Sequence, residues 1–160
     1  MCTEGPVMKL EHCVQIEARQ AALWAVLQDF ERVASCLPGV QDVWEVSQTT
    51  YEGNLQVRIG PIGVNLSGVV VLEEDTENSV WRMTIHAQDR KVGGGARAIV
   101  EAVAREEASG ETSLTIFTDI QLIGRLGELG QPLIKRKADT LFKEFGNNLK
   151  SAVAGAAAVH

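Results

Sequence analysis

The chain has 160 residues, a net charge of −6, and 45% hydrophobic and 22% charged residues, which is typical of one soluble globular domain. This composition excludes a disordered chain, a collagen-like repeat and a disulfide scaffold, and no apolar run reaches the roughly 18 residues that a membrane-spanning helix needs. The acidic balance also argues against a nucleic-acid partner, because phosphate backbones are bound by basic surfaces.

The N-terminal part of the chain predicts a strand followed by two short helices. Apolar and polar residues alternate over residues 8–17, which is the pattern of a half-buried strand. Residues 20–28 change to helical spacing, and Asp29 is a suitable N-cap for a second helix over residues 30–36. Pro38 and Gly39 end that helix.

Residues 40–123 alternate with a period of two almost throughout, and tight turns interrupt the alternation. We expect six further strands. They form an antiparallel meander, since parallel strands need long crossover connections that the spacing does not leave room for.

The last predicted element is one long amphipathic helix from about Arg125 to Val153, with apolar residues at spacings of three and four. Pro132 fits poorly in a helix interior, so it predicts a kink or a late helix start. We therefore expect one α+β domain over residues 8–153, with flexible termini at 1–7 and 154–160. In it a curved seven-stranded antiparallel sheet wraps around the C-terminal helix.

Small residues on the inner side of this sheet predict an apolar cavity between sheet and helix, within the roughly 300–1,000 Å³ of ligand sites. The expected lining consists of inward-facing apolar side chains: Leu55, Val57, Ile59, Ile62, Val64, Leu66, Trp81, Met83, Ile85, Leu126, Leu129, Leu133 and Ile134.

His12 and Thr118 are polar residues with the inward parity of the first and last strands. If these strands are neighbours, the two side chains can form a polar spot that binds a ligand carbonyl oxygen. The alternative is a core histidine that is bonded to backbone.

The charges are unevenly distributed, because residues 125–160 carry six basic and three acidic residues on an otherwise acidic chain. This segment is either a solvated helix face or a docking strip for an anionic membrane or an acidic partner. The glycines at 93–95 are either a flexible hairpin or a mobile cavity mouth. In the second case the mouth consists of Gly93, Gly94, Gly95, Arg90, Lys91 and Arg125.

No catalytic set is predicted, because no inward Ser, Cys or carboxylate accompanies the histidines. We expect no cofactor and no metal site. The three cysteines (Cys2, Cys13 and Cys36) have no metal-ligand spacing, and the N-terminal residues do not resemble a secretory signal, so we expect a cytoplasmic protein.

Several segments together resemble the family of the CoxG subunit of carbon monoxide dehydrogenase, which belongs to the START-like, birch-pollen-allergen-like (SRPBCC) helix-grip superfamily. The resemblance spans Met8 to about Val153 and is carried by residues 17–27, 30–40, 51–53, 57–62, 93–95 and 130–134. The Cys-Leu-Pro-Gly sequence at 36–39 and the Gly-Pro-Ile sequence at 60–62 are its most specific parts.

This resemblance implies a helix-grip fold and a non-catalytic accessory protein of a molybdenum hydroxylase of the carbon monoxide dehydrogenase type. Its implied roles are to carry a hydrophobic ligand, a lipid or a respiratory quinone, and to aid recruitment of the enzyme to the membrane through a peripheral contact. The alternative within the superfamily is a polyketide cyclase or aromatase-like enzyme that acts on a hydrophobic substrate.

Overall fold

The protein is described by a computed structural model that covers residues 7–158. Its elements are, in chain order, β1 (Met8–Ile16), α1 (Gln20–Leu27), α2 (Phe30–Ser35), β2 (Val40–Glu45), β3 (Thr50–Ile59), β4 (Ile62–Asp75), β5 (Val80–Asp89), β6 (Gly94–Glu106), β7 (Thr112–Gly124), a 3₁₀ helix (Arg125–Leu129) and α3 (Gln131–Ala158). Asp29 caps α2 as predicted, since its carboxylate accepts a hydrogen bond from the backbone N–H of Arg32 at 3.3 Å.

All seven strands form one antiparallel sheet in the order β1-β7-β6-β5-β4-β3-β2. Strands β2 to β7 form a meander, and the last strand of the meander, β7, pairs with the first strand of the chain, β1. The prediction of an α+β helix-grip fold with two short helices after the first strand is confirmed.

The C-terminal helix begins late, as the position of Pro132 predicts. Gly130 has a φ of +89° and separates the 3₁₀ helix from α3. Pro132 therefore lies in the first turn of α3, where its missing N–H breaks no helical hydrogen bond. The helix continues through Ala158, so it includes residues 154–158 of the terminus that is predicted to be flexible. The other predicted flexible residues, apart from Val7, lie outside the described part of the chain.

The core lies where α1 and the C-terminal half of α3 pack on the inner face of β1, β6 and β7. Ile16, Leu23, Leu114, Leu149 and Val153 are each at most 1% exposed there. This packing closes one half of the space between sheet and helix, and an apolar cavity remains in the other half.

Candidate functional site: an apolar cavity between sheet and helix

The cavity has a volume of about 290 Å³ and lies between the inner face of β2–β7, the helices α1 and α2, and α3. Phe142 and Phe145 form its wall on α3, and Leu27, Phe30 and Val33 form its wall on α1 and α2. Almost every side chain that lines it is apolar, so the cavity favours a hydrocarbon ligand.

A row of small residues across four strands makes room for the cavity. Gly53 pairs with Gly68, Gly68 with Ala87, and Ala87 with Ala96, and all four line the cavity. A Cβ added to Gly68 would be 2.6 Å from the Cα and 2.8 Å from the Cβ of Ala87, so β4 and β5 are too close here for a larger residue. Small residues on the inner side of the sheet thus leave room for the cavity, as predicted.

Five of the apolar residues predicted from the sequence line the cavity: Leu55, Leu66, Trp81, Met83 and Ile85. The remaining predicted apolar residues lie outside its lining: Val57, Ile59, Ile62, Val64, Leu126, Leu129, Leu133 and Ile134.

The reason is that the β3–β4 hairpin tip packs against the start of α3, which fills the space at that end. A Cβ added to Gly60 would be 3.2 Å from the Cδ2 of Leu133. Val64, Leu126 and Ile134 are at most 7% exposed in this packing. These three residues are core, whereas the other five are half-buried: Val57, Ile59, Ile62, Leu129 and Leu133. Val57 and Val64 line a second groove, separate from the cavity.

Sequence reasoning missed the wall formed by α1, α2 and β2. That wall is lined by Leu27, Phe30, Val33, Ala34, Leu37, Val40 and Val43. Their spacing of three and four along α1 and α2 was a usable signal, because it places them on one helix face. The cavity thus reaches the β2 edge of the sheet.

The predicted cavity mouth lies at the β5–β6 turn and the start of the 3₁₀ helix, away from the β2 edge. None of its six residues lines the cavity. Gly94 and Gly95 are paired within β6, where Gly94 faces Gly124 and Gly95 faces Ile123. A Cβ on Gly94 would collide with the carbonyl oxygen of Ile123, and the backbone N–H of Arg125 donates to Gly93 at 2.9 Å. The glycine run therefore serves close backbone packing, while Arg90 and Lys91 line a separate groove.

His12 and Thr118 face inward on adjacent strands as predicted, since β1 pairs with β7, but neither lines the cavity. The Nε2 of His12 is 2.9 Å from the Oδ1 of Asp139, and its ring stacks on Phe142 with the centroids 4.4 Å apart. Lys135 donates to the other oxygen of Asp139 at 2.8 Å. These bonds, that of Lys135 before that of His12, hold the pKa of Asp139 below its ordinary value.

The Nδ1 of His12 and the Oγ1 of Thr118 are buried without a hydrogen-bond partner among the described residues. Register places the two residues diagonally, since His12 faces Ile116 and Thr118 faces Leu10. The Cα atoms of such diagonal neighbours are about 7–8 Å apart, and no direct hydrogen bond joins these two side chains. A role for this pair in binding a ligand carbonyl remains a prediction.

Asp89 is a buried carboxylate that sequence reasoning did not single out. It is 3% exposed and accepts hydrogen bonds from the backbone N–H groups of Asn65 (2.7 Å), Lys91 (2.9 Å) and Val92 (3.0 Å). The bonds from Val92 and Asn65 are the main cause of a pKa of Asp89 below its ordinary value. An Asp followed by Arg-Lys-Val-Gly at a strand end is a signal for such a turn.

Two further findings concern the described residues as a whole. They contain no group of three or more His, Cys, Asp or Glu side chains that could hold a metal ion. None of the helices within 7–158 has both the length and the apolar character needed to cross a bilayer.

The antiparallel sheet, the long helix that it grips and the apolar cavity between them define a START-like helix-grip protein. A conserved protein from Geobacillus kaustophilus is similar in structure, with a TM-score of 0.83 and 14% identity over 93% of this chain and 97% of that one. A START superfamily protein from Mycobacterium smegmatis has a TM-score of 0.68 and 13% identity over 92% and 97% of the chains. For the Zhui aromatase/cyclase from Streptomyces sp. R1128 the TM-score is 0.67, with 16% identity over 93% and 94%.

The profile of the family of the carbon monoxide dehydrogenase CoxG subunit matches residues 13–154, so the chain belongs to that family. The resemblance stated from the sequence is thus confirmed. Comparison with curated protein sequences finds no significant match.

Proposed function

We propose that this protein is a non-catalytic accessory protein of a molybdenum hydroxylase of the carbon monoxide dehydrogenase type, and that it carries a lipid or respiratory quinone in the cavity. The observation that carries the proposal is the apolar cavity of about 290 Å³ in a member of the CoxG family. The cavity would shield an apolar molecule from water between the membrane and the enzyme.

The contacts available in the cavity are mainly hydrophobic, and Trp81 adds an indole N–H that is buried without a hydrogen-bond partner among the described residues. Burial of one CH₂ group contributes about 0.8 kcal/mol, so about ten buried carbon atoms supply about 8 kcal/mol before ordering costs, equivalent to a Kd of about 1 μM. A volume of about 290 Å³ is at the low end of ligand sites, so it accommodates a ring or part of a chain. We place the remainder of a long isoprenoid or acyl chain at the β2 edge, where Val40 and Val43 line the cavity.

The polar residues of the lining favour a carrier over a cyclase-like enzyme. The Tyr51 hydroxyl is bonded to Glu45 at 3.4 Å, and Glu52 accepts from the indole N–H of Trp44 at 3.1 Å. The side-chain oxygen of the third polar residue, Asn54, accepts from a serine hydroxyl at 2.9 Å. These groups are engaged with other side chains, whereas general acid–base catalysis needs a titratable group within reach of the substrate.

The exposed face of α3 supports the part of the proposal that concerns membrane recruitment. Arg136, Lys143 and Lys150 are exposed and spaced by seven residues, so they lie along one stripe of the helix. Each basic group near an anionic bilayer contributes about 1 kcal/mol, so the stripe would supply about 3 kcal/mol. Such a contact is weak and reversible, as a shuttle requires.

The test is native mass spectrometry of the protein purified from a respiring bacterial host, followed by solvent extraction of the bound molecule. Two neighbouring substitutions on β6 make a matched pair: Ala98→Phe fills the cavity, and Ile99→Phe adds bulk on the outer face. We expect the wild type and I99F to retain a quinone or lipid and A98F to lose it.

An empty wild-type protein that also takes up no added quinone would contradict the carrier proposal. Equal loss of ligand in both variants would show that the ligand does not occupy the cavity. Co-purification with the subunits of a molybdenum hydroxylase tests the partner separately. Turnover of a polyketide-like substrate that is lost in His12→Ala would instead favour the enzyme.

A further inference from the structure

A polar groove of about 890 Å³ lies between the β3–β4 hairpin and the β5–β6 turn, separate from the apolar cavity. The exposed side chains of Gln56, Asn65, Ser67 and Gln88 line it on the outer face of the sheet, and the inward-facing pair of Val57 and Val64 lines it as well. The Leu55–Leu66 pair next to it faces the opposite way and lines the cavity. The groove is therefore a second concave site with a different chemical character.

The groove exists because β4 and β5 separate at this end of the sheet. Their ladder ends at the pair of Ser67 with Gln88, and beyond it the Asp89 carboxylate takes the backbone N–H of Asn65 in place of a strand partner. Gly63 lines the groove, and a Cβ added there would have no atom within 4 Å. The gap and the missing side chain leave open space beside polar groups.

Three cations line the groove beside Asp89, the one acidic residue of its lining, whose carboxylate interacts electrostatically with Lys91. Arg58, Arg90 and Lys91 line it, and none of their side chains forms an ion pair with another residue in the described part of the chain. The carboxylate of Asp89 is occupied by three backbone N–H groups. By contrast, Lys9 on the outer face of the sheet pairs with an aspartate.

These three cations lie in a segment of the chain that is acidic overall. Residues 1–124 carry nine basic and eighteen acidic residues, yet the groove contains three of the nine. Like charges in one groove repel one another, and the single carboxylate of Asp89 offsets only one of the three. Two guanidinium forks and one ammonium, with side-chain amides beside them, match the oxygens of a phosphate group.

We propose that this groove is a binding site for a phosphate group, held by Arg58, Arg90 and Lys91. The phosphate can belong to a soluble phosphorylated molecule or to a lipid headgroup, and the experiment below distinguishes these sources. The proposal does not rest on the carrier function, because the groove and the cavity share no lining residue.

The first test is titration of the full-length protein with inorganic pyrophosphate by calorimetry at low ionic strength. We expect saturable binding that Arg58→Gln and Arg90→Gln each weaken at least tenfold. Arg105→Gln is the matched control, since Arg105 is an exposed arginine on the same sheet outside the groove, and it should change the affinity less than twofold. Gly63→Leu keeps every charge but fills the groove, and it should also abolish binding.

A second measurement needs no variant. Pyrophosphate added to ¹⁵N-labelled wild type should shift the backbone amide signals of Asn65, Gln88 and Lys91, while those of residues on α3 stay in place. Vesicles that contain phosphatidylglycerol form the other arm of the experiment. Vesicle binding that is lost in R90Q and kept in R105Q supports the site. If pyrophosphate does not bind, this result identifies the phosphate as that of a lipid headgroup.

Two results would overturn the proposal. One is the absence of saturable binding to both pyrophosphate and the vesicles. The other is an equal loss of affinity in R90Q and R105Q, which would show that the anion is attracted to surface cations in general and not to this groove.

Discussion

Asp89→Asn is the substitution that most directly tests how the end of the sheet is held together. The carboxylate of Asp89 is buried, and its two oxygens accept three backbone N–H groups from β4 and from the β5–β6 turn. Asparagine has nearly the same shape but only one acceptor oxygen, and its NH₂ group would face an N–H donor.

The expected loss follows from these bonds. Hydrogen bonds to a charged group contribute about 1.5–3 kcal/mol each, and a buried donor that loses its partner costs about 1–3 kcal/mol. Because the contributions are not additive, we expect the free energy of unfolding to fall by about 3 kcal/mol in D89N. For a chain of this size, 1 kcal/mol changes the Tm by about 2–4 °C, so the Tm should fall by about 6–12 °C.

Thermal unfolding followed by circular dichroism at pH 7 measures this change. Asp42→Asn is the control, because Asp42 is exposed on β2, and its Tm should match that of the wild type within about 2 °C.

The pH dependence gives a second check with a defined sign. The pKa of Asp89 in the folded protein is below its ordinary value, so the charged form is favoured by folding. Its contribution is complete above the unfolded pKa of about 3.9 and is lost as the pH falls through the lower folded pKa. The difference between wild type and D89N should be constant above about pH 5 and shrink below about pH 4. A D89N protein as stable as D42N, or a difference that persists unchanged in acid, would refute this reasoning.

Two further substitutions test the cavity. Gly68→Ala should lower the free energy of unfolding by about 1–3 kcal/mol in urea, because its Cβ would lie 2.8 Å from that of Ala87, whereas Gly63→Ala meets nothing within 4 Å and should be neutral. An equal effect of both would contradict the close packing of β4 and β5. His12→Leu should leave the affinity for an added quinone within about twofold, measured by fluorescence quenching, since His12 does not line the cavity. A tenfold loss would show that His12 contacts the ligand.

The fold could be predicted because its determinants are local. Alternation over residues 40–123, tight turns and one long amphipathic helix leave few ways to cover the inner face of the sheet. The late helix start was also predictable, since Gly130 and Pro132 impose it through backbone geometry alone.

The site could be predicted only in part, because parity identifies the inward face of a strand but not what covers it. Leu55 and Val57 have the same parity on β3, yet Leu55 lines the cavity and Val57 does not. Val57 instead lines the second groove, at the end of the sheet where β4 and β5 separate. Asp89 was missed although two of its donors, Lys91 and Val92, are local, and only its bond from Asn65, 24 residues away, depends on how the strands pack.

The position of the cavity determines which elements must move for a large ligand to enter. The C-terminal half of α3 is fixed by a core in which Leu149 and Val153 are at most 1% exposed. The other wall is α2, six residues long, and the edge strand β2, which has a strand partner on one side only. Displacement of α2 and β2 breaks fewer buried contacts than displacement of α3, and low-stability elements are the ones that open in ligand-binding proteins. We therefore expect entry at the β2 edge to cost less free energy than entry between β5, β6 and β7 at the glycine-rich end, where these three strands are paired to their last residues.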